Sequence, residues 1–431
     1  MKPTDKSVFA AGLVIASYFL IFNFAIAETR IPDPLPRGNF EKLGFSREGV
    51  QRIDDFINTE ISENRMPGAV LAVARHGKLV IYKAYGSRDP ITHAPMSLDS
   101  VFHLASMTKV MATVGALSIY EEGKLPLNSP INFWLDEFKN SHVGTIQADG
   151  DVSLKPVLKP ITVQDLMRHT NGMPYGDRGS TPIHKLFPPS SAGSAFVYEG
   201  GEFLQKLASA PLLYEPGTVW DYGFGIDVLG LIEEKIDGTS LENILNKRVW
   251  SKVGMKSTTF HPSPALRAKL ARPLSLDPMT GKPQSIGILD KQTKFDCAGS
   301  CAFSTAGDYI RFAQMLLNKG QIDNRRVISS NTVNFMTSDH LGLNIKNNVS
   351  GTEPARAGYG FGLGVAVRTA RGVAALNGNV GEFTWNGASG TIFWVDPASD
   401  LAVVMMAATP GEIRKIYREK LPAVVYGALN Q

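Results

Sequence analysis

Ser106 and Lys109 are the residues of this sequence whose types and spacing point most directly to chemistry. They stand in Ser106-Met107-Thr108-Lys109, the only S-x-x-K in the 431-residue chain. A serine hydroxyl is a weak nucleophile at neutral pH and needs a neighbouring base to take its proton. Residues three apart on a helix lie on one face, so Lys109 can lie beside Ser106. The pattern predicts a serine nucleophile activated by a lysine.

The setting of the motif supports this interpretation. An extended stretch, VFHLA, meets a long apolar helix that is predicted over 107–122 and ends at Gly123. A helix start offers free backbone N–H groups and a partial positive charge, which favour an oxyanion. Lys109 would be buried in this helix, and we expect desolvation to lower its pKa towards the range of a base. The alternative is that Ser106 only caps the helix, with Lys109 as a solvated charge in its first turn.

Cys297 and Cys301 form a second pattern, four residues apart in DCAGSC. In an oxidising compartment such a pair can close a small loop through a disulfide. The alternative is two small buried side chains in a tight turn. We expect no metal site, because two cysteines without a neighbouring histidine do not make a tetrahedral ligand set.

The elements that must position these residues change type along the chain. Two apolar runs around His76-Gly77-Lys78 predict a β-hairpin, and further strands are predicted over 361–367, 391–395 and 401–406. Helical signals dominate between them, for example the capping box Thr162-Val163-Gln164-Asp165. This order predicts an α+β or α/β fold, in which an antiparallel sheet flanked by helices carries an inserted, mostly helical lobe.

Domain boundaries follow from the same order. We assign a signal peptide or membrane anchor to 1–27, a proline-rich linker to 28–41, an α/β lobe to 42–125 with 300–431, and a helical lobe to 126–299. The two lobes together are predicted to form one domain. Clefts between such lobes are where ligands usually bind.

The N-terminal segment predicts export. Residues 7–27 carry no charge, follow Lys2 and Lys6, and close with Ala25-Ile26-Ala27, a site of the kind that signal peptidase cuts. The expected location is therefore the periplasm or the outside of the cell. Because the apolar stretch approaches the about 20 residues that span a bilayer, an uncleaved anchor is the alternative.

Composition excludes several classes of protein. The chain has 44 Lys+Arg against 40 Asp+Glu, a net charge of +4, without a long run of like charges. A nucleic-acid partner is therefore not expected. With 43% apolar residues the chain is an ordinary globular protein. No cofactor is predicted, and the sequence does not indicate an oligomeric state.

Four segments in sequence order resemble the class C β-lactamase-like serine hydrolases, a superfamily of lactamases, D-alanyl-D-alanine peptidases and family VIII carboxylesterases. The chain resembles the carboxylesterases most. The resemblance covers roughly residues 42–410 and rests on VFHLASMTKVMATVGALSIYEEGKLPLNSPI, ITVQDLMRHTNGMPY, YEPGTVWDYGFGIDVLGLIEE and CAFSTAGDYIRFAQMLLNKG. It implies a β-lactamase/transpeptidase-like fold.

The resemblance also implies a role for Tyr222. In this family the tyrosine of a Y-x-N motif shares the serine's proton with the motif lysine, and the matching residues are Tyr222-Gly223-Phe224. Phe224 stands where the family's polar residue helps to hold the amide side chain of a substrate. We therefore expect Phe224 to contact substrate as an apolar residue, and amide recognition to be weak.

The family's third motif is K-T-G or H-x-G, and its counterpart is Trp385-Asn386-Gly387, which resembles the W-x-G variant of family VIII esterases. The motif lysine serves substrates with a carboxylate, whereas Trp385 offers apolar area and one N–H. Gly387 permits a close backbone approach. The N–H groups of Ala388 and Ser106 are expected to form the oxyanion hole.

These patterns predict an exported serine hydrolase that cleaves carboxylic esters, with short acyl chains favoured, through an acyl-enzyme on Ser106. Its expected partner is a small-molecule ester, with membrane contact only through an uncleaved N-terminal segment. One alternative is an amide hydrolase of the β-lactamase or D-alanyl-D-alanine carboxypeptidase type, and another is an acyltransferase of the same fold. A non-catalytic module that binds cell-wall fragments is a further alternative.

Overall fold

An antiparallel sheet of eight strands forms the framework of the protein in the computed structural model. The structure describes Met1 and residues 31–430, so the predicted signal or anchor segment beyond Met1 lies outside the described residues. The strands of the described chain are β1 Gly68–Arg75, β2 Lys78–Asp89, β3 Ala94–Pro95, β4 Phe102–His103, β5 His142–Ile146, β6 Val152–Pro156, β7 Phe303–Ser304, β8 Gln321–Ile322, β9 Arg325–Arg326, β10 Tyr359–Phe361, β11 Ala366–Arg368, β12 Phe383–Asn386, β13 Ile392–Asp396 and β14 Leu401–Ala407.

The sheet places strands from distant parts of the chain side by side. Its order is β10-β11-β12-β13-β14-β1-β2-β3. β1 pairs with β14 along its length, from Ala69 opposite Ala407 to Arg75 opposite Leu401. β1 and β2 form the predicted hairpin. The remaining strands form three separate two-stranded pairs, β4 with β7, β5 with β6 and β8 with β9.

Helices cover the sheet and fill the middle of the chain. Within the described residues the α-helices are α1 Arg47–Ser62, α2 Thr108–Glu121, α3 Val163–Met167, α4 Ser191–Ala195, α5 Gly200–Ala208, α6 Gly225–Asp237, α7 Leu241–Leu245, α8 Ser251–Val253, α9 Pro264–Arg267, α10 Ala306–Leu317, α11 Ser330–Met336, α12 Val349–Thr352 and α13 Ile413–Tyr426. The predicted capping box begins α3. Each of these helices is too short or too polar to cross a bilayer.

Side chains of β1 alternate between two apolar cores, one on each face of the sheet. Val70 and Ala72 join the larger core, which includes residues of α2, α6 and α10. Leu71 and Val73 join the smaller core, which includes residues of α1 and α13. The flanked antiparallel sheet and the mostly helical middle of the chain confirm the predicted fold class.

Two expectations about the outline of the chain are wrong. Residues 33–41, assigned to a linker, pack onto the domain, since Leu35 is 6% exposed and the Gly38 N–H donates to the Leu79 carbonyl at 3.0 Å. Leu35 gives this proline-rich segment an apolar side chain to bury. The single strand expected over 361–367 is instead the end of β10, a turn and the start of β11. Gly364 in that turn has a φ of 74°, which interrupts extended backbone.

Candidate active site

Ser106 lies in a sharp turn between β4 and α2. The turn is a 3-10 helix over Ala105–Met107, and Ala105 has a φ of 47°, a left-handed conformation that is uncommon for a residue with a Cβ atom. Leu104 anchors the bend: its N–H donates to the Ala302 carbonyl at 2.9 Å, and its carbonyl accepts from Thr391 Oγ1 at 3.0 Å. The bend leaves Ser106 half-buried just before α2.

Lys109 lies one helical turn after Ser106 and is fully buried. Its Nζ donates to the Ser106 Oγ at 3.4 Å, to the Tyr175 hydroxyl at 2.9 Å and to the Gly299 carbonyl at 2.5 Å. The structure therefore brings the serine and the lysine within hydrogen-bond distance. The longest of the three contacts is the one to the serine.

The pKa of Lys109 is raised above its ordinary value, which contradicts the expectation that burial would lower it. Burial does favour the neutral amine, but the oxygens of Tyr175, Tyr222 and Asp227 near the Nζ outweigh that effect. The sequence showed the apolar helix around Lys109 but not the carboxylate that another helix brings close. Lys109 is therefore an ammonium at neutral pH.

A chain of buried hydrogen bonds supports Lys109 from behind. The Tyr175 hydroxyl lies 2.6 Å from the Ser191 Oγ, which donates to Asp227 Oδ2 at 2.6 Å. Asp227 Oδ1 accepts from the Gly299 N–H at 2.8 Å, and the Gly299 carbonyl holds Lys109. Burial raises the pKa of Asp227, while the charge of Lys109 opposes that rise. We call Tyr175, Ser191, Asp227 and Gly299 the rear network.

Sequence reasoning missed the rear network. Tyr175, Ser191, Asp227 and Gly299 lie in four separate segments, and no spacing links them. One signal was available: Asp227 stands in the apolar stretch GIDVLGLI, where a carboxylate without a partner would be costly. The packing is close, because a Cβ atom at position 299 would overlap both Asp227 Oδ2 and Ser191 Oγ.

Gly299 belongs to a loop that a disulfide closes. Cys297 and Cys301 are bonded, with Cα atoms 5.2 Å apart, and both are fully buried. The same loop binds the segment before the serine, since the Ser300 carbonyl lies 2.6 Å from His103 Nε2. Burial lowers the pKa of His103 to about 4, so its imidazole is neutral. The loop therefore contacts the nucleophile segment on both sides of the turn.

Tyr222 also faces Lys109 and is 5% exposed. Its hydroxyl accepts a hydrogen bond from Trp385 Nε1 at 3.1 Å, and the Nζ of Lys109 lies 4.7 Å from the centre of its ring. Among the described residues, its hydroxyl makes no direct hydrogen bond to Lys109 or Ser106. The tyrosine that bonds Lys109 directly is Tyr175, whereas the resemblance pointed to Tyr222 alone.

β12 packs beside the turn that carries Ser106. Trp385 is only 3% exposed, so most of its ring lies in the interior. A Cβ atom at Gly387 would overlap the Leu104 carbonyl, so the missing side chain lets the backbone after β12 approach the turn. The N–H groups of Ser106 and Ala388 have no acceptor within the described part of the chain. Both are thus free to bind an oxyanion.

Phe224 lies in the interior, so the expectation that it contacts substrate is wrong. It is fully buried, and its ring packs against Tyr175 and Phe203 with centroids 4.6 and 5.4 Å apart. Phe224 caps α6 with a φ of −81° and a ψ of −1°, and its side chain is buried in the core. Its place in a motif could not reveal that burial.

These observations define a class of protein. A serine just before a helix, a buried lysine one turn later and a facing tyrosine lie beside an antiparallel sheet flanked by helices, as in serine hydrolases of β-lactamase/transpeptidase-like fold. The family model described as β-lactamase matches residues 51–421. The chain belongs to the β-lactamase family and is an enzyme, a serine hydrolase. This finding confirms the resemblance found in the sequence.

Three similar proteins illustrate the relationship. Protein Rv1367c of Mycobacterium tuberculosis is 34% identical over 347 residues, which cover 79% of this chain and 85% of that protein. Esterase EstB of Burkholderia gladioli is 26% identical over 385 residues, 84% of this chain and 91% of that one. The solved structure of EstCE1, a hydrolase with promiscuous acyltransferase activity, has a TM-score of 0.73 at 25% identity and covers 88% of this chain and 99% of its own.

Proposed function

We propose that the protein hydrolyses carboxylic esters, with short acyl chains favoured, through an acyl-enzyme on Ser106. The observation that carries this proposal is the position of Trp385. An indole stands where amide-cleaving members of the family have a lysine for the substrate carboxylate, and its only N–H donates to the Tyr222 hydroxyl at 3.1 Å. A neutral ester needs no cation at that position.

The proposed reaction begins when the Ser106 Oγ attacks the ester carbonyl. The Lys109 ammonium cannot accept the serine proton, but it stabilises negative charge on neighbouring oxygens. We assign the proton acceptor to Tyr222, whose ring faces the Lys109 Nζ. The N–H groups of Ser106 and Ala388 would bind the carbonyl oxygen. Tyr222 would then return the proton to the leaving alcohol, and water would hydrolyse the acyl-enzyme.

Two further observations support ester cleavage over amide cleavage. The buried ring of Phe224 cannot hold the amide side chain of a lactam or peptide, which the family's polar residue at this position contacts. EstB is named an esterase, and it aligns with 84% of this chain. Acyl transfer to an alcohol is the second candidate function, favoured by the similarity to EstCE1.

Intact-protein mass spectrometry after brief exposure to p-nitrophenyl butyrate or benzylpenicillin tests the proposal. We expect a butyryl adduct or rapid p-nitrophenol release with wild-type protein, neither of them with Ser106→Ala, and little penicilloyl adduct. Acylation by penicillin without reaction of the ester would replace the esterase with a lactamase or carboxypeptidase. A wild-type protein inert to both compounds would contradict the proposed substrate class.

We also propose that the enzyme acts in the periplasm or outside the cell on a small-molecule ester. The uncharged segment over 7–27 with its Ala25-Ile26-Ala27 site supports export, and the disulfide between Cys297 and Cys301 suits an oxidising compartment. Fractionation of cells that express the full chain, together with N-terminal sequencing, tests this. Mature protein beginning at residue 28 is expected. Uncut protein in the membrane fraction would establish the anchor.

A further inference from the structure

Arg178 brings a positive charge to the candidate active site that no sequence motif indicated. It ends the short 3-10 helix Gly176–Arg178, which follows Tyr175, and it is exposed. Its guanidinium carbon lies 5.4 Å from the centre of the Tyr222 ring, within the range of a cation–π contact. Tyr222 therefore contacts two cations, the buried Lys109 and the exposed Arg178.

The guanidinium of Arg178 is held by a hydrogen bond and not by a salt bridge within the described residues. Its Nη2 donates to Thr352 Oγ1 at 2.8 Å, at the end of α12. Within residues 31–430, Arg178 makes no salt bridge to a carboxylate. Burial raises the pKa of Asp177 and Asp221, while the charge of Arg178 opposes that rise in both. Most of its donors stay available to a ligand.

Arg178 and Trp385 contact different parts of Tyr222. Trp385 bonds the hydroxyl, whereas Arg178 lies over the ring. A residue that returns a proton to the leaving alcohol must touch that alcohol, so groups beside Tyr222 face the alcohol half of the substrate. Arg178 is thus placed for an anion on that half.

We propose that Arg178 binds a carboxylate on the alcohol portion of the ester, so that the preferred substrates have an anionic leaving group. The proposal rests on the proposed function, because it needs Tyr222 to act on the alcohol. A guanidinium has five N–H donors in a planar fork that fits a carboxylate with two parallel hydrogen bonds. One donor is engaged by Thr352, and the exposed remainder can take the carboxylate.

The test compares two pairs of isosteric esters. One pair is 4-acetoxybenzoate with 4-acetoxybenzamide, and the other is 3-acetoxybenzoate with 3-acetoxybenzamide. The two members of each pair differ in charge but hardly in shape. The value of kcat/KM is measured for wild-type protein, Arg178→Met and Arg178→Lys. The matched control is Arg47→Met, which alters an exposed arginine at the start of α1, on the other face of the sheet.

For at least one pair, we expect the anion-to-amide ratio of kcat/KM to fall about tenfold in Arg178→Met, as for the loss of one charge-assisted hydrogen bond. In Arg178→Lys the ratio should fall less than in Arg178→Met, and in Arg47→Met it should equal the wild-type ratio. Raising the ionic strength from about 0.05 to about 0.5 M should lower the wild-type ratio, because salt screens exposed charges.

Several results would overturn the assignment. Equal losses on anion and amide would mean that Arg178 only positions Tyr222, and an unchanged ratio in both pairs would exclude the carboxylate site. A further pair of esters places the charge on the acyl half: mono-p-nitrophenyl adipate and its neutral isostere, p-nitrophenyl 6-methylheptanoate. If Arg178→Met lowers the anion-to-neutral ratio of kcat/KM only for this pair, the anion site faces the acyl half. If wild-type protein hydrolyses the carboxamide-bearing esters in a reaction that depends on Ser106, but does not prefer the carboxylate-bearing esters, only the Arg178 proposal is excluded. Loss of all ester hydrolysis removes the proposed function with it.

Discussion

Lys109 separates two regions of unlike chemistry. Behind it lies the rear network, buried and joined by hydrogen bonds of 2.5 to 2.9 Å from Lys109 through to the Gly299 loop. In front lies the reaction face, which we define as Ser106, Tyr222, Trp385 and Ala388. There the serine is only half-buried, two backbone N–H groups lack an acceptor within the described chain, and the lysine–serine contact is 3.4 Å.

The contrast shows how one side chain can be fixed while its surroundings stay reactive. A satisfied polar network in a low-dielectric interior is rigid and holds the ammonium at one position. Unused donors on the other side retain their hydrogen-bonding capacity for a substrate, and they need not reorganise as charge develops. Variants in the rear network should therefore alter stability and proton affinity, whereas variants on the reaction face should alter turnover.

Ser106→Ala is expected to give the largest effect, because it removes the nucleophile from the reaction face. Ester hydrolysis should fall about a thousandfold or more, as for the loss of a covalent nucleophile. Stability should hardly change, since only one half-buried hydroxyl is deleted. The measurement is kcat/KM for p-nitrophenyl butyrate, with circular dichroism for the fold. A folded variant that keeps a tenth of its activity would contradict the mechanism.

Lys109→Met should damage both regions at once. We expect kcat to fall by at least about a hundredfold, because the ammonium no longer stabilises the developing charges. The free energy of unfolding should fall by about 3 kcal/mol, since Gly299 and Tyr175 lose their partner and Asp227 loses its counter-charge. Urea unfolding and steady-state kinetics check the two effects. An active variant would exclude the assigned role of the lysine.

Tyr222→Phe should reduce kcat by about a hundredfold while leaving stability within about 1 kcal/mol, because it deletes the proton-transferring hydroxyl but keeps the ring. Kinetics with p-nitrophenyl butyrate and thermal unfolding measure the pair of effects.

The matched control is Tyr175→Phe, the same chemical change on the rear side. Here the hydroxyl bonds both Lys109 and Ser191, so stability should fall more and activity less than in Tyr222→Phe. If the two variants show the opposite order of kinetic effects, Tyr175 and not Tyr222 is the proton carrier.

Trp385→Lys tests the missing cation on the reaction face. A lysine there should raise the ratio of penicillin acylation to ester cleavage by about tenfold, as for one added charge-assisted hydrogen bond. The measurement is the acylation rate with benzylpenicillin against kcat/KM for p-nitrophenyl butyrate. Trp385→Met, which adds no charge, is the control, and an equal ratio in both variants would show that position 385 does not reach the substrate.

Asp227→Asn should give the smallest change at neutral pH and a clear one at alkaline pH. The carboxylate raises the pKa of Lys109, so its removal lowers that pKa, and the essential ammonium deprotonates earlier. Activity relative to wild type should therefore fall at alkaline pH, between the lowered pKa of Lys109 in the variant and its raised pKa in wild type. The pH profile of kcat/KM checks the shift. A profile parallel to that of wild type would show that Asp227 does not set the charge of Lys109.

Most residues of the reaction face could be predicted from the sequence, because they lie in short local motifs. Ser106 and Lys109 are three apart on a helix, and Trp385 and Gly387 share one strand end. Such spacings fix geometry through the helix or strand itself. The hairpin around His76 and the helix capped by Thr162 were predictable for the same reason.

The rear network could not be predicted from the sequence, because it depends on contacts between residues that are distant along the chain. No local sequence pattern links Tyr175 to Ser191 or Asp227. The sequence therefore predicted a lowered pKa for Lys109, whereas the structure raises that pKa. The expectation for Phe224 is wrong for a related reason. A motif identifies the type of side chain at a position but not the core into which it packs. Arg178 gave no signal because it neighbours Tyr222 only after folding.

The pairing of β1 with β14 has a consequence for how the protein is made. Ala69 pairs with Ala407, so a ribosome must synthesise nearly the whole chain before the centre of the sheet can close. Contacts between such distant residues are slow to form. Until then, the neighbour of β1 on one side is absent, and the turn that presents Ser106 has no β12 beside it. A chain truncated before β14 would therefore lose the middle of its sheet, and with it the fold, instead of shedding a dispensable tail.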